Sequence, residues 1–210
     1  MVTLIEDDAV VLFQGDSVTD AGRGREDDGN LGTGYAMMTA AWFSALYPEK
    51  QARFINRGVS GDRVKDLQRR WREDCLDLKP TWVSILIGIN DCWRRYDSND
   101  PTSVGDFEAA YRDILRRVKE TLNARIILCE PFVLPVPEDR EKWREDLNPK
   151  IDVVRRLARE FGALFVPLDG LFAQVSTLRH PGFWAPDGVH PSPAGHALIA
   201  KAWLQTVKAM

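Results

Sequence analysis

Residues 82–87 constrain the fold of this chain more than any other segment. They form an apolar run that only Ser84 interrupts, and the turn residues Gly88 and Asn90 follow. A run of this kind is typical of a strand that is buried on both faces. Because such a strand needs helices above and below it, the run predicts a parallel sheet between two helical layers.

Four further apolar runs and the helical patterns between them extend this plan. We expect strands over residues 9–13, 53–56, 124–130 and 163–166. Helices are expected over residues 35–47, 107–122, 151–161 and 168–178, with one capped by Ser60 or Asp62 and a last one capped by Ser192. The alternation predicts a doubly wound, three-layer α/β/α sandwich.

Four connecting or helical segments carry more specific expectations. Residues 19–34 are rich in glycine and charge, and we expect a solvated loop over Ser17. Residues 92–96 are expected to be an aromatic and charged loop, and the prolines of residues 131–137 predict an apolar lip at the sheet edge. In the helix over 35–47, six apolar residues near helical spacing are expected to face the core. They are Met37, Met38, Ala41, Trp42, Ala45 and Leu46.

Length and charge exclude several classes of protein. The 210 residues suffice for one domain with a full core, so we expect residues 1–210 to form a single domain. The net charge of -3 offers no basic surface for a polyanion, which argues against a nucleic-acid partner. No apolar run reaches the ~18 residues that a membrane span needs, so no membrane partner is expected.

Cysteine usage and the amino terminus bear on the compartment. Cys75, Cys92 and Cys129 are odd in number and widely spaced, which indicates a reduced protein. Residues 1–8 contain three acidic side chains and no long apolar core, so neither a secretory signal nor a transit peptide is expected. These observations predict a cytoplasmic location.

The predicted strand ends supply the residue types of a nucleophilic hydrolase. Ser17 follows the first strand and Asn90 the third, while Asp187 and His190 precede the last helix. Ligands bind at the carboxyl ends of parallel strands, where these residues are expected to meet. Serine needs a base within hydrogen-bond reach, which histidine supplies at neutral pH. The three-residue spacing lets Asp187 orient Nδ1 of His190 and leave Nε2 facing the serine.

Acyl transfer also requires donors for the developing oxyanion. The backbone amides of Ser17 and Gly58 and the side-chain amide of Asn90 are candidates for this role. For the base, His180 and His196 are alternatives in principle, but the loop context favours His190. Asp16 is adjacent to the serine, and we expect it to support the turn; Cys92 is expected to be structural.

Four sequence blocks in this order resemble the SGNH, or GDSL-type, hydrolases. They are GDSVTD at 15–20, Gly58, GIND at 88–91 and DGVH at 187–190. The resemblance implies a flavodoxin-like, five-stranded parallel sheet, the SGNH hydrolase fold. It also implies that Ser17 is the nucleophile, that Gly58 and Asn90 are oxyanion-hole donors, and that Asp187 and His190 complete the triad.

Longer agreements are similar to the intracellular acetyl xylan esterases. They are LGTGYA at 31–36, residues 82–85 and GINDCWRRYD at 88–97. This resemblance implies a serine esterase that removes acetyl groups from xylan or xylo-oligosaccharides, acting on an acetylated carbohydrate as a homo-oligomer. Two alternatives stay open: a lysophospholipase or thioesterase whose acyl chain lies in the apolar lip at 132–136, and a non-catalytic carbohydrate-binding protein.

Aromatic and cationic residues near the strand ends are candidates for substrate contact. Trp93, Tyr96 and Trp184 could stack on a sugar, and packing is an equally good explanation of each. Arg57 and Arg94 could bind polar substrate groups or a neighbouring subunit. The three histidines show no metal-ligand spacing, so the sequence predicts no metal and no cofactor.

Overall fold

A computed structural model describes residues 3–210. Within them lies one five-stranded sheet in which every neighbouring pair is parallel, in the order β2-β1-β3-β4-β5. The strands are β1 (Val10–Gly15), β2 (Arg53–Asn56), β3 (Trp82–Leu86), β4 (Arg125–Cys129) and β5 (Leu164–Val166). All five predicted strands are therefore present. The strand order and the helices on both faces confirm the α/β, flavodoxin-like architecture that was expected.

Nine α-helices connect and flank these strands in the described part of the chain. They are α1 (Ser17–Asp20), α2 (Tyr35–Leu46), α3 (Val64–Asp74), α4 (Ile89–Asp97), α5 (Val104–Thr121), α6 (Arg144–Phe161), α7 (Leu168–Ser176), α8 (Pro181–Trp184) and α9 (Pro193–Thr206). None of the helices within residues 3–210 is long and apolar enough to cross a membrane.

The sheet separates two apolar clusters, one on each face. Alternate residues of β1 point to opposite sides, so Phe13 packs with Trp203 of α9, whereas Leu12 packs with Trp71 of α3. Every residue of β3 is buried. The continuous apolar pattern of β3 thus reflects cover on both faces, as expected.

The strand order creates a switch point between β1 and β3. The chain leaves β1 toward β2 on one side, and β3 then pairs with β1 on the other side, with Gly15 opposite Leu86. Connections at such a point depart in opposite directions and leave a crevice at the carboxyl ends of the two strands. Ser17 follows β1 and Asn90 follows β3, so both lie at this crevice.

The expectation for the core face of α2 is wrong. The buried face consists of Tyr35, Ala36, Thr39, Ala40 and Phe43. The predicted core residues instead point outward or are half-buried, and Trp42 is 55% exposed. Apolar residues occupy both faces of this helix, so helical spacing alone does not identify the face that packs on the sheet.

The start of α3 and the segment after β3 also differ from expectation. Neither Ser60 nor Asp62 caps α3; the carboxylate of Asp91 accepts from the Val64 backbone N–H at 3.0 Å instead. Residues 92–96 are not a loop, because α4 begins at Ile89 and continues through them. Ser192 does cap α9, accepting from the Gly195 N–H at 3.3 Å.

The apolar lip expected at residues 131–137 is not an open surface. The segment is irregular, as its prolines require, but Phe132, Val133 and Leu134 are only 3%, 4% and 4% exposed. They pack into apolar clusters. A groove of about 260 Å³ beside Val133 and Leu134 is also lined by charged side chains, so it is not the apolar surface that was expected for an acyl chain; these are Arg140, Glu141, Arg144 and Asp169.

Candidate active site

The turn from β1 into α1 places Ser17 at the crevice. A side chain at Gly15 would come within 2.3 Å of the Leu86 carbonyl oxygen, so only glycine fits beside β3 there. Asp16 caps α1 by accepting from the Val18 backbone N–H at 3.0 Å. Burial raises the pKa of Asp16 to about 7. Its role as support for the turn is therefore visible in the structure.

A compact turn before α9 brings Asp187 and His190 to the serine. His190 Nε2 lies 2.9 Å from Ser17 Oγ, and His190 Nδ1 lies 2.7 Å from Asp187 Oδ2. The other carboxylate oxygen of Asp187 accepts from the backbone N–H groups of Val189 and His190, at 3.0 and 2.7 Å. The three side chains thus form a continuous hydrogen-bonded row.

The same hydrogen bonds shift the pKa values of Asp187 and His190. Partial burial acts to raise the pKa of Asp187, but the bonds from the His190 ring and the two backbone N–H groups outweigh it. The pKa of Asp187 consequently lies well below its usual range. The bond to Asp187 raises the pKa of His190 above its ordinary value of 6.5. The imidazole of His190, oriented by this carboxylate, can accept a hydroxyl proton when it is neutral.

Residues 131–137 pack against the turn that carries Asp187 and His190. The Leu134 N–H donates to the Gly188 carbonyl at 2.8 Å. Gly188 has a φ of +81°, and a Cβ there would lie 2.4 Å from the Val136 carbonyl oxygen. The sequence offered a signal for the turn, the glycine in DGVH, but none for the segment that packs against it.

Asn90 lies on the first turn of α4, which follows the strand that pairs with β1. Its side chain is 3% exposed and donates through Nδ2 to the Asp62 carbonyl oxygen at 3.0 Å. An amide nitrogen carries two hydrogens, so this bond fixes the side chain and leaves one hydrogen for another acceptor.

Gly58 is placed differently from the sequence expectation. Its backbone N–H donates to the side-chain oxygen of Asn56 at 2.9 Å, and a Cβ at this position would lie 2.3 Å from the backbone nitrogen of Asp20. Gly58 is therefore packed against α1 with its N–H engaged. Its glycine identity is explained by this close approach of backbone.

Gly61, three residues later, has the available backbone N–H that was expected of Gly58. Its φ is +87°, and its missing side chain would meet only Arg94 Nη2, at 4.0 Å. The backbone N–H groups of Gly61 and Ser17 donate to no acceptor among residues 3–210. Gly61 also precedes Asp62, which holds Asn90. The sequence signal for this position is the second glycine in the loop after β2.

Of the five candidate substrate contacts, Trp93 lies beside His190. Its ring centroid is 5.9 Å from that of His190. Arg140 Cζ lies 5.0 Å from the Trp93 ring centroid and 3.9 Å from that of Trp143, which fixes the indole.

The other four candidate contacts are engaged in the fold, and Arg94 pairs with Asp97 of the same helix. Tyr96 stacks on Trp143 with ring centroids 5.2 Å apart. Trp184 donates its indole N–H to the Val175 carbonyl at 3.1 Å. Arg57 forms ion pairs with Asp28 and Asp74, which lie 2.7 and 3.6 Å away.

The remaining histidines and Cys92 also have structural partners. His196 accepts the Tyr35 backbone N–H on Nδ1 at 3.1 Å, and burial lowers its pKa to about 4. His180 accepts from Gly182 at 3.1 Å. Burial raises the pKa of the Cys92 thiol to about 12, so it stays protonated. Among residues 3–210, no three His, Cys, Asp or Glu side chains are grouped to hold a metal ion.

Comparison with known proteins agrees with the geometry. Residues 13–198 match the GDSL-like lipase/acylhydrolase family. The chain belongs to this family. It is a carboxylic ester hydrolase, because both this family and a similar esterase have that activity.

Similar proteins match nearly the whole chain. An acetylxylan esterase of Geobacillus stearothermophilus is 39% identical over 205 residues, which are 94% of this chain and 93% of that protein. The crystal structure of Axe2, an acetylxylan esterase from the same organism, has a TM-score of 0.90 at 38% identity and covers 97% of this chain and 95% of its own. LAE5, an alpha/beta hydrolase from the metagenome of Lake Arreo, Spain, has a TM-score of 0.91 at 32% identity, with 99% of both chains covered.

Proposed function

We propose that this esterase removes acetyl groups from xylan or xylo-oligosaccharides through an acyl-enzyme formed on Ser17. The observation that carries the proposal is the row of hydrogen bonds from Ser17 Oγ through His190 to Asp187, located at the switch point of the sheet. The similarity to an acetylxylan esterase supports the choice of substrate.

The chemistry follows from the order of the three side chains. His190 Nε2 takes the proton of Ser17 as the serine oxygen attacks the acetyl carbonyl. The tetrahedral intermediate collapses, and the same proton passes to the departing sugar oxygen. Water then attacks the acyl-enzyme with His190 again as base, which releases acetate and restores the serine. Asp187 stabilises the imidazolium that forms in each half.

Relatives support the roles of the histidine and the aspartate. Crystal structures of two catalytic mutants of Axe2 are among the similar structures, one with a histidine and one with an aspartate replaced by alanine. In this chain, His190 and Asp187 are the histidine and aspartate that contact one another beside Ser17.

For the oxyanion hole we propose the N–H groups of Ser17 and Gly61 and the side chain of Asn90. Gly58, the expected donor, already donates to Asn56, whereas the N–H groups of Ser17 and Gly61 have no acceptor within residues 3–210. Each donor aimed at the oxyanion typically contributes about 3 kcal/mol to the transition state. Trp93 is proposed as a wall of the sugar site because it lies beside His190.

The test begins with Ser17→Ala. We expect kcat for p-nitrophenyl acetate to fall about 10⁴- to 10⁶-fold in a folded protein, and a fluorophosphonate to label the wild type but not the variant. Unchanged hydrolysis would reject the mechanism, and a protein that neither hydrolyses nor is labelled would favour the binding protein. Faster turnover of octanoyl than of acetyl esters would favour the lysophospholipase or thioesterase. Acetate release from acetylated xylo-oligosaccharides tests the proposed substrate.

We also propose a homo-oligomer in the cytoplasm. The oligomer is supported by the exposed apolar face of α2, which the next subsection treats. The location is supported by Cys75, Cys92 and Cys129, which are all buried and unpaired.

A further inference from the structure

The outward face of α2 is apolar over the whole length of the helix. Six of its twelve residues are exposed, and Ser44 is the one polar residue among them. The helix contains no acidic or basic residue, although 28% of the whole chain is charged. The other exposed residues, which with Ser44 define the α2 face, are Met37, Ala41, Trp42, Ala45 and Leu46.

Several large apolar side chains of the α2 face are substantially exposed and lie next to one another. Trp42 is 55% exposed, Leu46 45% and Met37 36%. Met210 at the end of the chain, 40% exposed, lines the same groove as Trp42 and extends the apolar surface. A continuous apolar surface of this kind on a folded protein marks an interaction site, because leaving it in water costs free energy.

A groove lies next to the protruding tryptophan. Its volume is about 220 Å³, and Met38, Ala197, Leu204 and Met210 line it together with one side of Trp42. The α2 face therefore carries both a projecting aromatic ring and an apolar groove. Ala41 and Ala45, one helical turn apart, form a second shallow hollow beside Trp42.

We propose that the α2 face binds the same face of a second copy of this chain across a twofold axis. A twofold interface joins identical patches, so a patch must be complementary to itself. The α2 face meets this condition because it has no charge that would repel its copy, and because it holds both the projection and the groove. The small residues Ala41 and Ala45 allow two α2 helices to approach closely at the axis.

The charge distribution favours a second copy over a charged partner. An acidic or basic partner would require opposite charges on this surface, and α2 has none. At the edge of the groove, Lys201 supplies a polar rim around the apolar centre. The inference rests on the proposed homo-oligomer and names its surface.

The experiment compares two exposed apolar residues. Trp42→Glu places a charge in the α2 face, whereas Leu178→Glu changes a residue that is 80% exposed after the end of α7. We expect light scattering to give wild type and Leu178→Glu the same mass, a multiple of two protomers, and Trp42→Glu a smaller mass. Circular dichroism melting establishes that each variant is folded, and Leu46→Lys serves if Trp42→Glu is not.

A mixing experiment identifies the occupant as a second copy. Trp42→Glu and Trp42→Arg should each lose self-association, because like charges meet when two identical copies dock. An equimolar mixture should recover part of the wild-type mass, because opposite charges then meet across the interface.

Two outcomes would overturn the proposal. One is a wild type that is monomeric at all concentrations tested, including one that instead sediments with phosphatidylcholine vesicles through Trp42; the other is a Trp42→Glu protein that keeps the wild-type mass. Mass and ester hydrolysis are separate readouts. An active monomer would refute only this inference, and an inactive dimer would refute only the proposed function.

Discussion

Arg70 donates from Nε to the carboxylate of Asp62 at 2.8 Å, and so connects α3 with the loop that holds Asn90. The same guanidinium donates to the Gly15 carbonyl at 3.3 Å, just before Ser17. Asp62 in turn accepts from the Asn90 side chain through its carbonyl oxygen. Arg70 therefore holds the segments that position two of the proposed oxyanion donors, Ser17 and Asn90, although it contacts neither residue directly.

We predict that Arg70→Lys lowers kcat for p-nitrophenyl acetate about tenfold with little change in KM, because lysine cannot bridge both acceptors. The neighbouring Arg69→Lys is the matched control: its side chain is 73% exposed and pairs with Asp66 on the same helix. Steady-state kinetics and melting temperatures check the prediction. A change confined to KM, or an equal loss in both variants, would contradict the positioning role.

The choice between Gly58 and Gly61 can be tested with a covalent adduct. In a crystal structure of the protein labelled on Ser17 by a fluorophosphonate, we expect the phosphonyl oxygen within about 3 Å of the Gly61 and Ser17 nitrogens and of Asn90 Nδ2. The Gly58 N–H should remain on Asn56. A phosphonyl oxygen bound to the Gly58 nitrogen would restore the expectation from sequence.

Asp187 should control the acidic limb of the pH profile. His190 must be neutral to accept the serine proton, and the bond to Asp187 raises its pKa above 6.5. In the wild type, kcat/KM therefore falls as pH drops through that raised pKa. In Asp187→Asn the pKa of His190 should fall, so the limb moves to lower pH while kcat decreases about 10⁴-fold. A limb that stays in place would show that Asp187 does not set the basicity of His190.

Asp91 should make stability depend on pH. Burial raises its pKa from 3.8 to about 7 in the folded protein. Between these values the folded state holds a proton that the unfolded state has lost, so the group reduces the free energy of unfolding as pH rises from about 4 to 7. In Asp91→Asn, which keeps an oxygen to cap Val64, that decrease is absent.

The measurement for this prediction is the difference in melting temperature between variant and wild type. We expect the difference to move in favour of Asp91→Asn from pH 4 to pH 7 and to stay constant above it. Asp152→Asn, at a carboxylate that is 62% exposed, should give a difference that is nearly independent of pH. A constant difference for both variants would show that Asp91 ionises as freely as a surface carboxylate.

Helix α2, which was predicted correctly but with the wrong face toward the core, shows what tertiary packing adds. Tyr35, Ala36, Thr39, Ala40 and Phe43 have the same periodicity as the five apolar residues of the α2 face. A periodic pattern identifies an amphipathic helix only when one face is polar. Here both faces are apolar, so only packing against β1 and α9 decided which one is buried.

The sequence by itself determined the alternation of strands and helices and the residues that follow each strand, because both depend on local periodicity and turn chemistry. It therefore located Ser17, Asn90, Asp187 and His190 at one edge of the sheet. The tertiary structure decided the strand order that brings the ends of β1 and β3 together. It also decided that the Gly58 N–H is engaged by Asn56, whereas that of Gly61 has no acceptor within residues 3–210. Those two results depend on distant segments meeting in space, which no local pattern encodes.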